Sequence, residues 1–388
     1  PERTPEEVND ALRLEPTVPP SRAALLPADG VVVLVTIDCL RADVIATDAH
    51  AELLPNLTAF RRSAANFTDA RSAGNMTIVA LGSLFTGRYE SQLAWSEQRT
   101  LHSRYPFPNN GASPRFPAVL GAAGVPSMAM STLEWLNAKS GILRGFTEEK
   151  LLSPTTDYAK AEDVMTAAVE RVERHGAGPL FLYMHLLDAH HPYTRGGLQG
   201  TEYERYLREL AIVDRELGRL ITAVDQRLGK RAIMMISADH GEGFGEHQSL
   251  RHGNHVYDEV VRVPLLVRGA GVVPRAITDS VSLIDLGPTV LDLFRVATPA
   301  SFMGHSFVPA LAGEPLKAPH PIAVESHGQV ALIDGGWKMI QGKRYGTIEL
   351  YNLTLDPEEK DNVYRENDPA AVARLQAMEA FFADVRTR

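Results

Sequence analysis

The sequence predicts an α/β fold in which a doubly wound, mostly parallel sheet is flanked by helices, with a small C-terminal antiparallel sheet. Three observations support this fold class. Continuous apolar runs such as Gly30–Leu40 suit strands that are buried on both faces. Stretches with helical periodicity separate these runs, as in a parallel sheet with crossover helices. From about Ala318 the chain changes to short alternating runs with glycine turns.

Length and composition limit the class of protein. The chain has 388 residues and a net charge of −9, which argues against a nucleic-acid partner. Its only cysteine is Cys39, so no intrachain disulfide forms. No apolar stretch approaches the ~18 residues of a membrane span. We divide the chain into an N-terminal extension or linker (1–29), a main α/β domain (30–317) and a small C-terminal α+β subdomain (318–388).

The elements follow from the apolar pattern and its stop signals. Buried strands are predicted within 30–40, 179–187, 231–238 and 261–269. Helices are predicted within 53–67, 75–87, 161–176, 203–229, 282–294 and 370–388, and 115–132 is interpreted as helix, turn and strand. Glycines close several of these helices, for example Gly87. Short strands with glycine turns are predicted between about 321 and 354.

Polar residues collect at or just beyond the ends of the predicted strands, where open α/β sheets bind their ligands. They are Asp38; Asn75 and Thr77; Asp188, His190 and His191; and Asp239 and His240, followed by a loop with His247, His252 and His255. A single aspartate at a strand end is more often a turn or cap residue than a ligand. The combination of carboxylates and imidazoles instead favours Zn²⁺ or Mn²⁺ over Ca²⁺.

Seven segments give a family resemblance. "VVLVTIDCLRAD", "LPNLTAF…NFTDARSAGNMTIVALGSLFTGRY", "PLFLYMHLLDAHHPY", "SADHGEGFGEH", "YDEVVRVPLLVRG", "SLIDLGPTVLDLF" and "ELYNLTLDPEEKDNV" occur in the order found in sulfatases. The chain resembles the sulfatase branch of the alkaline phosphatase superfamily over roughly Gly30 to Val363. The resemblance implies the fold of that superfamily and a metal-dependent ester hydrolase or transferase.

The sequence departs from sulfatases at the nucleophile. Sulfatases carry Cys-x-Pro-Ser-Arg or Ser-x-Pro-Ser-Arg, whose first residue becomes a formylglycine that attacks sulfur as its hydrate. At that spacing, ten residues before Gly87, this chain has Thr77 in "TIVAL". Cys39 cannot substitute; we expect a small buried residue there, although many sulfatases place a metal-binding aspartate at this position. Threonine resembles the nucleotide pyrophosphatases/phosphodiesterases and the phosphoglycerol and phosphoethanolamine transferases, in which a metal-activated threonine attacks phosphorus.

The resemblance assigns roles residue by residue. Asp38, Thr77, Asp239 and His240 would form one metal site, with Thr77 as the nucleophile. His190 would protonate the leaving group or contact phosphoryl oxygens, the Asn75 amide would donate to the substrate, and His252 would contact the anion or a metal. One divalent transition metal, Zn²⁺ or Mn²⁺, is expected. A second ion is left open, and its candidate ligands are Asp188, His190 and His252, with His191 and His255 as alternates.

Other polar residues receive structural interpretations. We expect Arg41 to brace its loop and His247 to be structural or solvated. His305 and His327 are expected at the surface. Glu325, Trp337 and Lys338 lie in the small C-terminal sheet, which packs near the cleft in related proteins, and we expect Lys338 to be exposed.

Three functions are consistent with these features. The first is hydrolysis or transfer of a phosphate ester, either a phosphodiester or a phosphonate monoester, through Thr77. The second is sulfate-ester hydrolysis with an unconventional threonine, and the third is a catalytically silent, anion-binding member. The substrate would be an anionic small molecule or a lipid-headgroup ester, and relatives suggest an extracytoplasmic location. Hydrolase or transferase, cytoplasmic placement and oligomeric state are left open by the sequence.

Overall fold

A nine-stranded β-sheet organises the main domain. The computed structural model describes residues 16–99, 104–109, 111, 113–152, 160–316 and 320–388; residues 1–15 of the predicted extension lie outside this part. The strands of the described residues are β1 (Thr17–Val18), β2 (Val31–Ile37), β3 (Ala65–Arg71), β4 (Ser96–Arg99), β5 (Arg104–Phe107), β6 (Ser127–Ser131), β7 (Glu148–Leu151), β8 (Leu180–Leu186), β9 (Ala232–Ala238), β10 (Arg262–Gly269), β11 (Arg275–Ile277), β12 (Val281–Ser282), β13 (Thr298–Pro299), β14 (Ile322–Glu325), β15 (Gln329–Asp334), β16 (Trp337–Gly342) and β17 (Ile348–Asn352).

The order of strands in the large sheet is β11-β3-β10-β9-β2-β8-β6-β7, and β12 also pairs with β3. All neighbours run parallel except β10, which is antiparallel to both β3 and β9. The three central strands β2, β8 and β9 are buried along their whole length. The predicted fold class, a mostly parallel sheet with a small C-terminal antiparallel sheet, is confirmed.

Helices cover both faces of this sheet. They are α1 (Ala42–Ala46), α2 (Pro55–Arg62), α3 (Thr77–Thr86), α4 (Phe116–Ala122), α5 (Ala161–Glu173), α6 (Glu202–Arg227), α7 (Asp258–Val261), α8 (Leu286–Leu293), α9 (Val308–Leu311) and α10 (Pro369–Thr387), with 3₁₀ turns at Glu90–Gln92, Gly229–Arg231, Glu246–Gln248 and Leu283–Asp285. The longest, α6, begins at a capping box in which Thr201 and Glu204 satisfy each other's backbone N–H groups. None of the helices in the described residues combines the length and apolarity that crossing a bilayer requires.

One predicted element differs in the structure. The stretch 53–67 is not one helix, because α2 ends at Arg62 and strand β3 begins at Ala65. The Arg61-Arg62-Ser63 step ends the apolar helical periodicity, and Ser63 Oγ donates to the carbonyls of Ala59 and Phe60. Strand β3 therefore adds a neighbour for β10 that the pattern alone did not indicate.

The C-terminal sheet has the simple order β14-β15-β16-β17, with every pair antiparallel. One face contributes Ile322, Val324 and Ile340 to a small core with Val260 and Val261 of α7. Helix α10 packs Met378 and Phe382 into a second core that includes Tyr89. The small sheet thereby packs against α7, which precedes β10, and against the segment around Tyr89. The domain boundary at 317/318 stays a prediction.

Candidate active site

Two aspartates lie side by side at the carboxyl edge of the main sheet. Strands β2 and β9 are parallel neighbours in a register that pairs Ile37 with Ala238. The residues that follow, Asp38 and Asp239, therefore leave the sheet together. Both are essentially inaccessible to solvent. Two carboxylates are costly to bury without a compensating positive charge, so the fold itself indicates a cation or a proton here.

His185 joins these aspartates, and the sequence analysis did not single it out. It is fully buried near the end of β8, with Nε2 at 3.5 Å from Asp38 Oδ2 and Nδ1 at 2.9 Å from Thr36 Oγ1. The sheet register places His185 beside Thr36, which in turn lies beside Ser237. A polar residue at the sixth position of all three central strands was the available signal.

Thr77 is the first residue of α3, but its side chain is not a helix cap. The N-cap position is Met76, which makes no side-chain capping bond. Thr77 Oγ1 instead lies 3.4 Å from Asp38 Oδ2 and 3.2 Å from His240 Nε2. The preceding loop is held by the backbone N–H of Glu325, which donates to the carbonyl of Ala73 at 2.9 Å. The structure thus brings the predicted nucleophile to the predicted ligands.

The orientation of His240 is that of a ligand to a cation. Its Nδ1 lies 2.9 Å from the carbonyl oxygen of Gly241 and must donate there. In the neutral ring, Nε2 then carries a lone pair, yet it faces Asp38 Oδ1 at 3.5 Å and Asp239 Oδ2 at 3.4 Å. Burial lowers the pKa of His240, which favours this neutral form. A lone pair that faces two carboxylates is the arrangement of ligands around a cation.

The pKa values of the carboxylates reflect the same crowding. Burial raises the pKa of Asp239, and the negative charge of Asp38 raises it further. Burial also opposes ionisation of Asp38, but His185 and His240 hold the pKa of Asp38 well below its usual value. Burial opposes charge on His185 as well, whereas the contact with Asp38 raises the pKa of His185 overall. Asp38 is therefore the carboxylate of the cluster that stays ionised.

These residues fit a divalent transition metal. Asp38, His185 and Asp239 each offer one ligand atom, and the three atoms lie within 4.8 Å of one another. Within the described residues, two buried atoms of this set, Asp239 Oδ2 and His185 Nε2, have no hydrogen-bond partner. Mixed carboxylate and imidazole donors suit Zn²⁺ or Mn²⁺. Asp38, Asp239 and His240, with His185 beside them, would hold the ion next to the Thr77 hydroxyl.

A second group of donors adjoins the first and consists of Cys39, His240 and His252, whose ligand atoms also lie within 4.8 Å of one another. His252 contacts Glu242 Oε1 through Nδ1 at 3.0 Å, and Tyr193 donates its hydroxyl to Glu242 Oε2 at 2.6 Å. Although burial opposes it, Glu242 raises the pKa of His252. His252 is thus oriented by a fully buried carboxylate.

The candidate second-metal ligands are not all brought together. Asp188 forms an ion pair with Arg195 and accepts a hydrogen bond from the backbone N–H of Ala161, so its Oδ1 is engaged away from the cluster. His190 does approach, with its ring centroid 5.3 Å from that of His252. His191 packs edge-on against Tyr193. The structure therefore groups His190 with His252, whereas Asp188 pairs with Arg195.

Asn75, two residues before Thr77, contacts the loop that carries His255. Asn75 is fully buried, and its Nδ2 donates to the carbonyl of His255 at 2.9 Å. The backbone N–H of Gly253 donates to the carbonyl of Asn75 at 2.9 Å. The amide is thus used to fix the loop that carries His252. His255 Nε2 lies 3.7 Å from a carboxylate oxygen of Glu259.

One structural interpretation from the sequence was wrong, and others agree with the structure. Lys338 is not exposed but fully buried, because Asp258 and Glu359 each place an oxygen 2.8 Å from its Nζ. Arg41 braces its loop as expected, through Asp43 and Glu246. His305 and His327 are exposed, as expected.

A cavity of about 880 Å³ opens elsewhere, between the loop after β9 and the segment that follows β17. Arg41, Glu246, His247 and Glu359 line it. His247 bridges its two sides, with Nδ1 at 2.9 Å from Glu259 and Nε2 at 3.0 Å from the carbonyl of Glu359. Thr77, the aspartates and the histidines of the two donor groups do not line this cavity. It is separate from the reaction centre.

Comparisons with known proteins find two matching family models and curated relatives. A family model described as Sulfatase matches residues 31–296, and one described as N-sulphoglucosamine sulphohydrolase, C-terminal, matches residues 245–383. Delta 4,5-hexuronate-2-O-sulfatase of Bacteroides thetaiotaomicron is 33% identical over 175 residues, which cover 41% of this chain and 36% of that protein. The chain thus spans little more than a third of the length of this curated relative.

Two solved structures share the fold. A protein in the alkaline phosphatase superfamily from Vibrio parahaemolyticus superimposes with a TM-score of 0.71 at 16% identity, covering 99% of this chain and 98% of its own. The phosphonate monoester hydrolase of Agrobacterium radiobacter superimposes with a TM-score of 0.70 at 17% identity, covering 92% and 95%. At these identities the superpositions describe the fold alone.

Proposed function

This chain belongs to the sulfatase family, and from that premise we propose that it hydrolyses phosphate esters, of the phosphodiester or phosphonate monoester class, with Thr77 as a covalent nucleophile. The observation that carries the proposal is the position of the Thr77 hydroxyl, 3.2 Å from His240 Nε2 and 3.4 Å from Asp38 Oδ2. A threonine that only capped α3 would direct its oxygen to the N–H groups of that helix instead.

A hydroxyl is a poor nucleophile, and the residues around Thr77 would compensate for this. A bound divalent ion would lower the pKa of the hydroxyl and neutralise charge on the phosphoryl oxygens. Asp38, Asp239 and His240 would hold that ion. The N-terminus of α3 adds free backbone N–H groups and the positive end of a helix dipole beside the anion.

The reaction proceeds in two displacements. Thr77 releases its hydroxyl proton to solvent and its Oγ1 forms a bond to phosphorus while the bond from phosphorus to the leaving alcohol breaks. His190 gives the departing oxygen a proton, which His190 later regains from solvent. Water then attacks phosphorus, the Thr77 oxygen leaves with a proton, and phosphate monoester or phosphonate is released. His252, which lies 3.0 Å from Glu242, would contact the anion. The Asn75 amide donates one hydrogen to the His255 carbonyl, and its second hydrogen would donate to the substrate.

The single hydroxyl of threonine favours phosphorus over sulfur. The formylglycine hydrate of the sulfatases that this chain resembles carries two hydroxyls on one carbon, so the second can expel sulfate. A sulfated threonine lacks that route and would require water to attack sulfur. This chain resembles superfamily members with a threonine nucleophile, in which water attacks a phosphoryl group.

Sulfate-ester hydrolysis is the second candidate, and the comparisons favour it. Both matching family models carry sulfatase or sulphohydrolase descriptions, and the relative from Bacteroides thetaiotaomicron is described as a sulfatase. The phosphonate monoester hydrolase with the same fold is consistent with the first candidate. Location outside the cytoplasm and a lipid-headgroup ester as substrate remain predictions for either activity.

A side-by-side assay separates the candidates. Purified protein loaded with Zn²⁺ or Mn²⁺ is tested with nitrophenyl sulfate, nitrophenyl phosphate, bis-nitrophenyl phosphate and a phenyl phosphonate ester. We expect the highest kcat/KM for the diester or the phosphonate. A higher kcat/KM for the sulfate would replace the first candidate by the second, and no turnover of any ester despite bound metal would support a silent anion-binding protein.

A further inference from the structure

Cys39 lies among polar side chains of the candidate active site and has an unusual backbone conformation. It follows Asp38 directly, is fully buried, and has a φ of 62°, a backbone conformation that is uncommon for a residue with a side chain. Its Sγ lies 3.0 Å from Asp38 Oδ1 and 3.6 Å from His252 Nδ1. Such backbone conformations persist where the surroundings determine them, and they concentrate at functional sites.

The distances suit a metal ion between sulfur and nitrogen. Bonds of about 2.3 Å to sulfur and about 2.0 Å to nitrogen at a tetrahedral angle place the two donors about 3.5 Å apart. The observed separation of Cys39 Sγ from His252 Nδ1 is 3.6 Å. His240 completes a three-donor group within 4.8 Å, and its ring centroid lies 4.2 Å from that of His252.

The charges around this group also favour a cation. Glu242 lies 3.0 Å from the same His252 nitrogen and is fully buried. Asp38 Oδ1 lies 3.0 Å from the sulfur of Cys39. A divalent ion bound here would be held by a thiolate, because a coordinating thiol is deprotonated.

We propose that Cys39, together with His240 and His252, is a thiolate ligand that makes this centre selective for a thiophilic ion such as Zn²⁺. When the ion binds, Cys39 loses its proton to solvent, and His252 gives up the Nδ1 hydrogen that it shares with Glu242, so that the Nδ1 lone pair faces the ion. Sulfur and two imidazoles form a soft donor group, and Asp38, His185 and Asp239 form a hard donor group next to it. His240 lies between the two groups, which are therefore parts of one centre.

This inference rests on the proposed function, since it concerns the same metal centre, but its test does not depend on catalysis. Cobalt(II) reports its ligands directly, because a thiolate gives a charge-transfer band in the near ultraviolet that oxygen and nitrogen ligands do not give. The chain contains one cysteine. Any such band from this protein must therefore come from Cys39.

The experiment titrates metal-free full-length protein with cobalt(II) and records the near-ultraviolet band together with the amount of bound metal. We expect the band to grow to a plateau at one equivalent of bound ion and to disappear when Zn²⁺ displaces the cobalt. Tightly bound cobalt without the band overturns the proposal and leaves the proposed ester hydrolysis untouched. Loss of activity with the band intact would instead contradict only the proposed function.

Two variants sharpen the result. Cys39→Ser should remove the band, and Cys39→Asp should remove it while shifting preference from Zn²⁺ towards Mn²⁺ or Ca²⁺, because an oxygen replaces the sulfur. A band that survives either change contradicts the assignment. Asp285→Asn serves as the matched control. Asp285 belongs to a separate group with His305 and His320, so this variant should keep the full band.

Discussion

Thr77 Oγ1 lies 3.2 Å from His240 Nε2, although the two residues are 163 positions apart in the chain. The helix that begins at Thr77 and the loop that follows β9 meet at the carboxyl edge of the sheet, where Asp38 and Asp239 also end. This contact brings the proposed nucleophile to the proposed metal ligands.

The first prediction concerns His185. His185→Ala removes an imidazole 3.5 Å from Asp38, so we expect metal affinity to fall by about 10- to 100-fold, the range found when groups that support a metal site are removed. Equilibrium dialysis or calorimetry measures the change. Thr36→Val, which removes only the hydroxyl 2.9 Å from His185 Nδ1, is the milder comparison and should lose less. Unchanged affinity in His185→Ala would exclude His185 from the centre.

The second prediction concerns Glu242. Glu242→Gln removes the charge that holds His252, and we expect kcat/KM for the best ester to fall by about 10- to 100-fold. Tyr193→Phe removes only the 2.6 Å hydrogen bond to the same carboxylate and should lower kcat/KM by less. Steady-state kinetics at constant metal saturation measures both. Equal losses in the two variants would show that the charge on Glu242 is not what positions His252.

The fold and much of the site were predictable because both depend on local patterns. Long β-branched and apolar runs identify the central strands, and aspartates directly after them must emerge at one edge when the strands are parallel. This reasoning brought Asp38, Asp239 and His240 together, and Thr77 followed from its spacing to Gly87. The structure places all four in one cluster.

What the sequence did not reveal depends on partners that are distant in the chain. His185 lies inside an apolar strand, and only the register with Thr36 explains why it is polar. Cys39 looked like a small apolar filler until its distance to His252 was known. Lys338 has the charge of a surface residue, but Asp258 and Glu359, from two other segments, compensate that charge in the interior.

The third prediction tests this buried ion cluster. Lys338→Met leaves Glu359 without its counter-charge, so we expect the free energy of unfolding to fall by about 3–5 kcal/mol. Urea denaturation measures the loss, and the double variant Lys338→Met/Glu359→Gln should recover part of it. Lys360→Met is the surface control, because the exposed pair of Lys360 with Glu358 is screened by solvent and should contribute little to stability. Equal losses at the two lysines would contradict the interpretation.

The fourth prediction is a pH dependence. Burial by itself would lower the pKa of His247, but Glu259 and Glu359 raise it to about 9. The folded protein then binds a proton more tightly than the unfolded chain, whose histidine pKa is about 6.5. The contribution of His247 to stability is therefore complete below about pH 6.5 and is lost as the pH rises through about 9.

His247→Gln should consequently lower the free energy of unfolding by about 1–3 kcal/mol at pH 6 and by much less at pH 10. Denaturation curves at the two pH values measure this difference. His327→Gln is the control, because that half-exposed side chain contacts Glu90 at the surface and should change stability by less than about 1 kcal/mol. If His247→Gln loses the same free energy of unfolding at both pH values, the stabilisation does not come from the protonated histidine.

The most direct measurement is a mass-spectrometric search for a covalent adduct on Thr77. Wild-type protein is mixed with the best ester substrate, quenched in acid during turnover and digested, and Thr77→Ser and Thr77→Ala are treated alike. We predict a phosphoryl or phosphonyl mass on the peptide that contains Thr77 in the wild type, a serine adduct in Thr77→Ser, and at least about 10³-fold slower turnover without adduct in Thr77→Ala. Wild-type turnover that Thr77→Ala retains, with no adduct on this peptide, would contradict the central claim.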